Sequence, residues 1–152
     1  MHSRIFVVGN ENSEIPTEEE LFEMRPDNCI DYIMSSNLEN DIVWLEDYFQ
    51  KKFIDKKLNL SEEELKEEIN KRVEKIKELA KKIENATIED LVRDPNLFFY
   101  HLQNELQGEP LEFYIYDCEE MIFETLQNYL EMKYRLDKKV DTTILSSFDY
   151  HY

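Results

Sequence analysis

Few residues in this 152-residue chain have both the type and the spacing to do chemistry. Of the three histidines, His2 and His151 stand in terminal segments, which are often mobile. His101 falls in a helical pattern with Glu105 four residues on, so the two side chains share a helix face. Such a pair could ligate a metal ion. The competing outcome is a plain His–Glu hydrogen bond along the helix, since no third ligand is identified. Cys118 opens a stretch that reads as helix, where the dipole lowers a thiol pKa. Its neighbours Asp117, Glu119 and Glu120 push the other way, because negative charge disfavours a thiolate. Cys29 lies in an apolar stretch and reads as buried and inert. Cysteine catalysis is not expected.

Paired carboxylates are the remaining chemical signal. Glu64 with Glu68, and Glu120 with Glu124, have the i, i+4 spacing of helical metal–carboxylate sites, including those of magnesium-dependent nucleotide hydrolases. Those sites need several acids converging from two helices. Glu64 and Glu68 sit among Glu62, Glu63 and Glu67, which reads as a solvated first turn. Glu120 and Glu124 flank an apolar stripe and could line a cleft. With His101 and Glu105 they define one functional alternative, a small metal-dependent hydrolase with helix-borne ligands.

The larger signal is charge. Thirty-five acidic residues face 18 basic ones, for a net charge of −17. From residue 11 to 50 there are twelve acids and one base, Arg25; from 85 to 131 there are eleven acids and one base, Arg93. If the two blocks share a face, they create a negative field able to steer a basic protein. Carboxylates one helical turn apart, about 6 Å along the axis, could also stand in for nucleic-acid phosphates. The bland reading is helix chemistry, with acids serving as caps and first-turn residues. Direct binding to nucleic acid or to an anionic membrane is disfavoured, because both need clustered Lys and Arg.

The expected partner-binding residues are Glu18, Glu19, Glu23, Glu39 and Asp41, with Tyr114 and Tyr116 as an amphipathic patch on the second face of a strand. The competing reading makes those tyrosines core residues beneath helices. The chain has only two glycines, Gly9 and Gly108, so neither a P-loop nor a dinucleotide fingerprint can form, and no cofactor is implied.

The positioning elements follow from periodicity. Residues 4–8 and 111–116 read as strands, and the tail from Thr142 to Tyr152 alternates as a final strand. Residues 29–34 read as either strand or helical turn. Capping boxes at Thr17/Glu20 and Ser61/Glu64 and an N-cap at Asn37 start three helices. Thr87 and Asp94-Pro95 start two more; the second stops at Gly108 and Pro110. Asp117 and Glu120 cap a further predicted helix through Tyr134.

The expected architecture is α+β, one helix-rich domain with a small sheet of two to four strands and helices on one face. A mostly helical bundle with one hairpin is the alternative. Aromatic content of 12% and hydrophobic content of 41% argue against a disordered acidic chain. No apolar run is long enough to cross a bilayer, the first residues do not resemble a signal peptide, and two cysteines suit a reducing compartment, so cytoplasmic location is expected. The functional expectation is a non-catalytic interaction module of inhibitor, immunity or nucleic-acid-mimic type that binds a basic protein.

Overall fold

The computed structural model describes residues 2–26, 30–93, 95–107 and 113–151. The N-terminal strand β1 (His2–Gly9) shows why the sheet forms. Phe6 and Val8 point to one face and Ile5 and Val7 to the other, and all four are buried. A strand apolar on both faces belongs in the middle of a covered sheet. The C-terminal strand β7 (Val140–His151) runs antiparallel along it over nearly its whole length.

The other strands are short. They are β2 (Tyr32–Ser35), β3 (Phe53–Ile54), β4 (Lys57–Leu60), β5 (Tyr114–Asp117) and β6 (Ile122–Thr125). The order is β3-β4-β7-β1-β5-β6, and β2 also pairs with β7. The free edge of β7 is shared: β4 pairs with residues 140–143 and β2 with residues 148–151. Among the described residues only β1 and β5 pair in parallel.

This seven-stranded mixed sheet corrects the expected small sheet of two to four strands, and it overturns the helical-bundle alternative; the class remains α+β. Helices also cover both faces rather than one. Helices α2 (Leu38–Phe49), α3 (Glu62–Glu84) and α6 (Leu126–Leu136) pack Leu45, Phe49, Leu65 and Tyr129 onto the face that carries Phe6, Val8 and Phe113. Helix α1 (Glu18–Met24) presses Leu21 onto the opposite face, with Ile5, Val7, Tyr114, Phe148 and Tyr150.

The caps at Thr17/Glu20, Asn37 and Ser61/Glu64 start α1, α2 and α3 as their spacing predicts. The ambiguous 29–34 stretch resolves into β2. The helix predicted from Asp117 does not begin there. Residues 118–121 turn tightly between β5 and β6, and α6 starts later under a Thr125 cap. The hairpin β3–β4 had no counterpart in the sequence reading. Helix α4 (Ile88–Arg93) packs on α5 (Pro95–Gln107), which packs on α3, and Leu79 and Leu102 are buried. The expected cap Asp94, the stop at Gly108 and Pro110, and Cys29, Leu111 and Glu112 lie outside the described residues.

Candidate functional site

The acids expected on the surface have divided fates. Asp41 is 4% exposed. It faces inward because it is three residues after Leu38 and four before Leu45, within the apolar stripe of α2. Its carboxylate accepts from Arg4 Nε at 2.7 Å, Ser147 Oγ at 2.8 Å and Ser36 Oγ at 2.5 Å. Burial pushes the Asp41 carboxyl up, but the bonds from Arg4, Ser36 and Ser147 outweigh it and hold its pKa below the ordinary value. Arg4 also bonds Asp149 and lies over the Trp44 ring. Asp41 therefore locks α2 to β1 and β7 and is not a surface contact.

Glu18 accepts from the backbone and hydroxyl of Ser35, whose side-chain and backbone bonds lower its pKa and tie α1 to β2. Glu39 pairs with Lys56 of the β3–β4 turn. Both remain exposed, as do Glu19 and Glu23. Tyr114 and Tyr116 do not form an open patch. Both are buried: Tyr114 meets Phe123 and Tyr150 edge-on, and the Tyr116 hydroxyl donates to Met24 Sδ at 3.8 Å.

The two acidic blocks come together at one point, where one acid of each reaches a common cleft. Asn10, just after β1, donates from Nδ2 to Glu119 Oε1 at 2.6 Å, joining the 10–13 loop to the turn after β5. The contact follows from the parallel pairing of β1 with β5, which ends both strands at the same edge of the sheet. Gly9 makes the approach possible, since a Cβ there would meet Ser13 Oγ at 2.7 Å and Cys118 Cβ at 3.3 Å. β1 stops opposite Thr143 while β7 continues back to Val140, leaving a notch in the sheet. The notch is a cleft of about 470 Å³ lined by Glu11 and Glu119, one from each block, with Asp141, Asn10 and Asn12 and, as the one cation among the described residues, Lys57. Farther along the same edge, α1 brings Glu20 close enough to Tyr116 to help raise its pKa, after burial and the Cys118 charge.

Behind the turn, Asp117 is buried, accepts from the Glu119 and Glu120 backbones and from Tyr129 Oη at 3.1 Å, and forms an ion pair with Lys133 Nζ at 3.4 Å. Burial and then the neighbouring Asp117 carboxylate drive the Tyr129 phenol well above its usual range. Burial lowers the Lys133 pKa, but attraction to Asp117, Asp137 and Glu120 more than restores it. The cluster pins the hairpin to α6. Burial pushes the Cys118 thiol up to about 11, with Asp117 and Glu119 adding to it.

The metal alternative loses its geometry. Glu120 lies in the turn and Glu124 on β6, where it accepts from Asn128, so the pair does not share a helix face. His101 is exposed on α5, and the side chain of Glu105 lies outside the described residues. Among the described residues no group of three His, Cys, Asp or Glu is placed to hold a metal ion. Glu68, expected in a solvated turn, is buried and bridges Lys52 and Lys71. His151, expected in a mobile tail, ends β7 with its ring stacked on Tyr32 and Nδ1 at 3.3 Å from Asp31.

Sequence reasoning missed Arg4, Lys57, Asp117 and Lys133 as partners in these arrangements. Helical spacing alone could have placed Asp41 inside; nothing local marks Lys133, whose partner comes from a strand. No described helix is long and apolar enough to cross a membrane. No protein family model, curated protein or solved structure matches the chain.

Proposed function

We propose that this chain is a non-catalytic binding module that docks a basic protein on an acidic surface around the notch. The observation that carries the reading is the Asn10–Glu119 contact, which brings Glu11 and Glu119 from separate acidic blocks to one cleft. The exposed Glu18, Glu19 and Glu23 on α1 and Glu39 on α2 add negative charge to the same molecule and are the further acids this reading assigns to the partner. Asp41, Tyr114 and Tyr116 support it from inside rather than touching a partner. Electrostatic steering of this kind raises association rate and selects a partner by sign, and it weakens as salt rises. An inhibitor, an immunity-type protein or a nucleic-acid mimic would work in this way.

The test compares two quadruple variants on one affinity support. In the first, Glu11, Glu19, Glu23 and Glu119 become Lys; in the second, the same charge change is made at Glu63, Glu74, Glu78 and Glu84 on α3. Both are challenged with lysate of the native host. The reading expects a stoichiometric basic protein held by the wild type and the α3 variant, and lost from the first variant. Equal loss from both would mean that only total charge matters, and the acidic surface would have no specific role.

A further inference from the structure

We infer that the notch receives an extended basic segment of the partner, which pairs with β7 where β1 leaves off and sets an arginine among Glu11, Glu119 and Asp141. The inference rests on the acidic-surface reading for the sign of the partner's charge, and it adds how that partner is held.

The backbone carries the first part of the argument. Residues 140–142 of β7 lie past the last register pair with β1, Gly9 opposite Thr143. At about 3.4 Å per residue, they leave about 10 Å of strand without a neighbour on that side. The chain leaving β1 turns away at Asn10, whose carbonyl accepts from the Ser13 N–H at 3.0 Å. On the other side of β7, the Ile144 N–H donates to the Lys56 carbonyl at 2.7 Å, next to the register pair Lys57–Thr143. Main-chain groups alternate from side to side along an antiparallel strand. Ile144 and Thr142 therefore address β4, while Thr143 and Asp141 address the side of β1. Thr143 meets Gly9 there, and Asp141 has no strand opposite it among the described residues. Its N–H and C=O form a donor–acceptor pair at an open sheet edge, the template on which an extended peptide adds.

The side chains around this edge select a basic peptide. Glu11, Glu119 and Asp141 line the cleft with Lys57 as the one opposing cation among the described residues. No group of acids among the described residues converges as a metal ion requires, so the cation they suit is a larger one. Thr142 also lines the cleft, is only 8% exposed, and its Oγ1 has no hydrogen-bond partner among the described residues. Nearly all buried polar groups in folded proteins are paired, so an unpaired hydroxyl at a cleft points to a donor that arrives with a ligand. A guanidinium brings five N–H donors in a rigid fork, against three on an ammonium, and can serve several carboxylates and a hydroxyl at once.

The probe is the pentapeptide acetyl-Thr-Arg-Thr-Arg-Thr-amide, titrated at low salt into the isotope-labelled full chain and followed by NMR. The expected result is saturable shifts at the amides of Gly9, Asp141 and Thr143, with hydrogen exchange slowed at Asp141. The same peptide methylated on its backbone nitrogens keeps its charge, loses its main-chain donors and should bind about tenfold more weakly. Glu119→Gln should weaken the unmodified peptide about tenfold and Thr142→Val about threefold, each with an unchanged circular dichroism spectrum. Asp141→Asn repeats the test should Thr142→Val fold poorly.

An Asp141 amide left unprotected at saturation overturns the inference, as does equal binding of the methylated peptide or an affinity indifferent to all of these variants. The two readings fail separately. Capture of a basic protein from host lysate while the pentapeptide leaves Asp141 unprotected means that the partner docks without entering the notch, and this inference alone falls. Protection of Asp141 by the pentapeptide with no basic protein captured sinks the acidic-surface reading and leaves the notch as a peptide site.

Discussion

Replacing Asp41 with Asn separates a buried anchor from a surface charge. Asn keeps the shape of Asp but removes the charge that Arg4, Ser36 and Ser147 share. A hydrogen bond to a charged group is worth about 1.5–3 kcal/mol, and breaking a buried pair costs about 3–5 kcal/mol when the partner is left alone. Arg4 is not left alone, because it still bonds Asp149 and its side chain is about one-fifth exposed. Two hydroxyls can also reorient toward the new amide. The expected loss is therefore about 2–3 kcal/mol at pH 7.

The pH dependence has a definite sign. The folded carboxyl has a pKa below its unfolded value of 3.8, so its contribution is complete above that value and fades as pH falls through the folded one. Urea titrations of both proteins at pH 7 and at pH 3 or below should show the difference shrinking in acid. A solvated acid behaves oppositely: in a chain of net charge −17, neutralising one exposed carboxylate relieves repulsion and is neutral or slightly stabilising. Unchanged or increased stability of Asp41→Asn at pH 7 would refute the anchoring role and return Asp41 to the surface.

Three further outcomes follow from the hairpin edge. Gly9→Ala should destabilise by about 1–3 kcal/mol, the usual cost of overpacking, measured by thermal or urea melts, because the new methyl meets Ser13 and Cys118. Met121 has φ of 52° with its side chain in solvent, so Met121→Gly should stabilise by about 0.5–1 kcal/mol in the same assay; a loss of stability would mean that the turn needs its side chain. In a Cys29→Ser background, Cys118 should react with a disulfide reagent at pH 8 roughly two hundred times more slowly than a thiol of pKa ~8.5, from the thiolate fraction alone, and should speed up as pH approaches 11.

The features of the fold that could be read in advance carry their own local marks. Capping boxes at Thr17 and Ser61 start helices where they stand, and the alternating tail is a strand. What stayed hidden is the set of turns. Among the described residues five non-glycine residues have positive φ, and Gln50, Asp55, Lys56 and Met121 flank or form the turns around β3, β4 and β6. A two-residue hairpin turn usually announces itself with Asn-Gly or Asp-Gly, whose backbone accepts those angles. Here Asp55-Lys56 and the Glu120-Met121 region do the same work with ordinary residues. The turn and second strand of the β5–β6 hairpin therefore read as the opening of a helix, Phe53 of β3 read as the last step of the second helix's apolar stripe, and β4 went unmarked. Both missed hairpins lie toward the sheet edges, where strands are too short for alternation to register.

The same limit decides what could be known of the site. A carboxylate's type says nothing about which way it points; its parity against apolar neighbours says more. Asp41 shares the stripe of Leu38 and Leu45 and is inside, while Glu39 and Glu46 are off that stripe and outside. Asp117 shares the face of Phe113 and Ile115 and is also inside, a conclusion available only once the strand is seen to run through Asp117 rather than to end at Tyr116 before a helix. Three of the acids that seemed most available, Asp41, Glu68 and Asp117, hold the scaffold together through Arg4, Lys52 and Lys133. Those three bases come from a strand, a turn and a distant helix, so no local window contains the pairing. One acid of each sequence block, Asp41 in the first and Asp117 in the second, is thereby spent on folding, so each block presents less charge to solvent than its residue count implies.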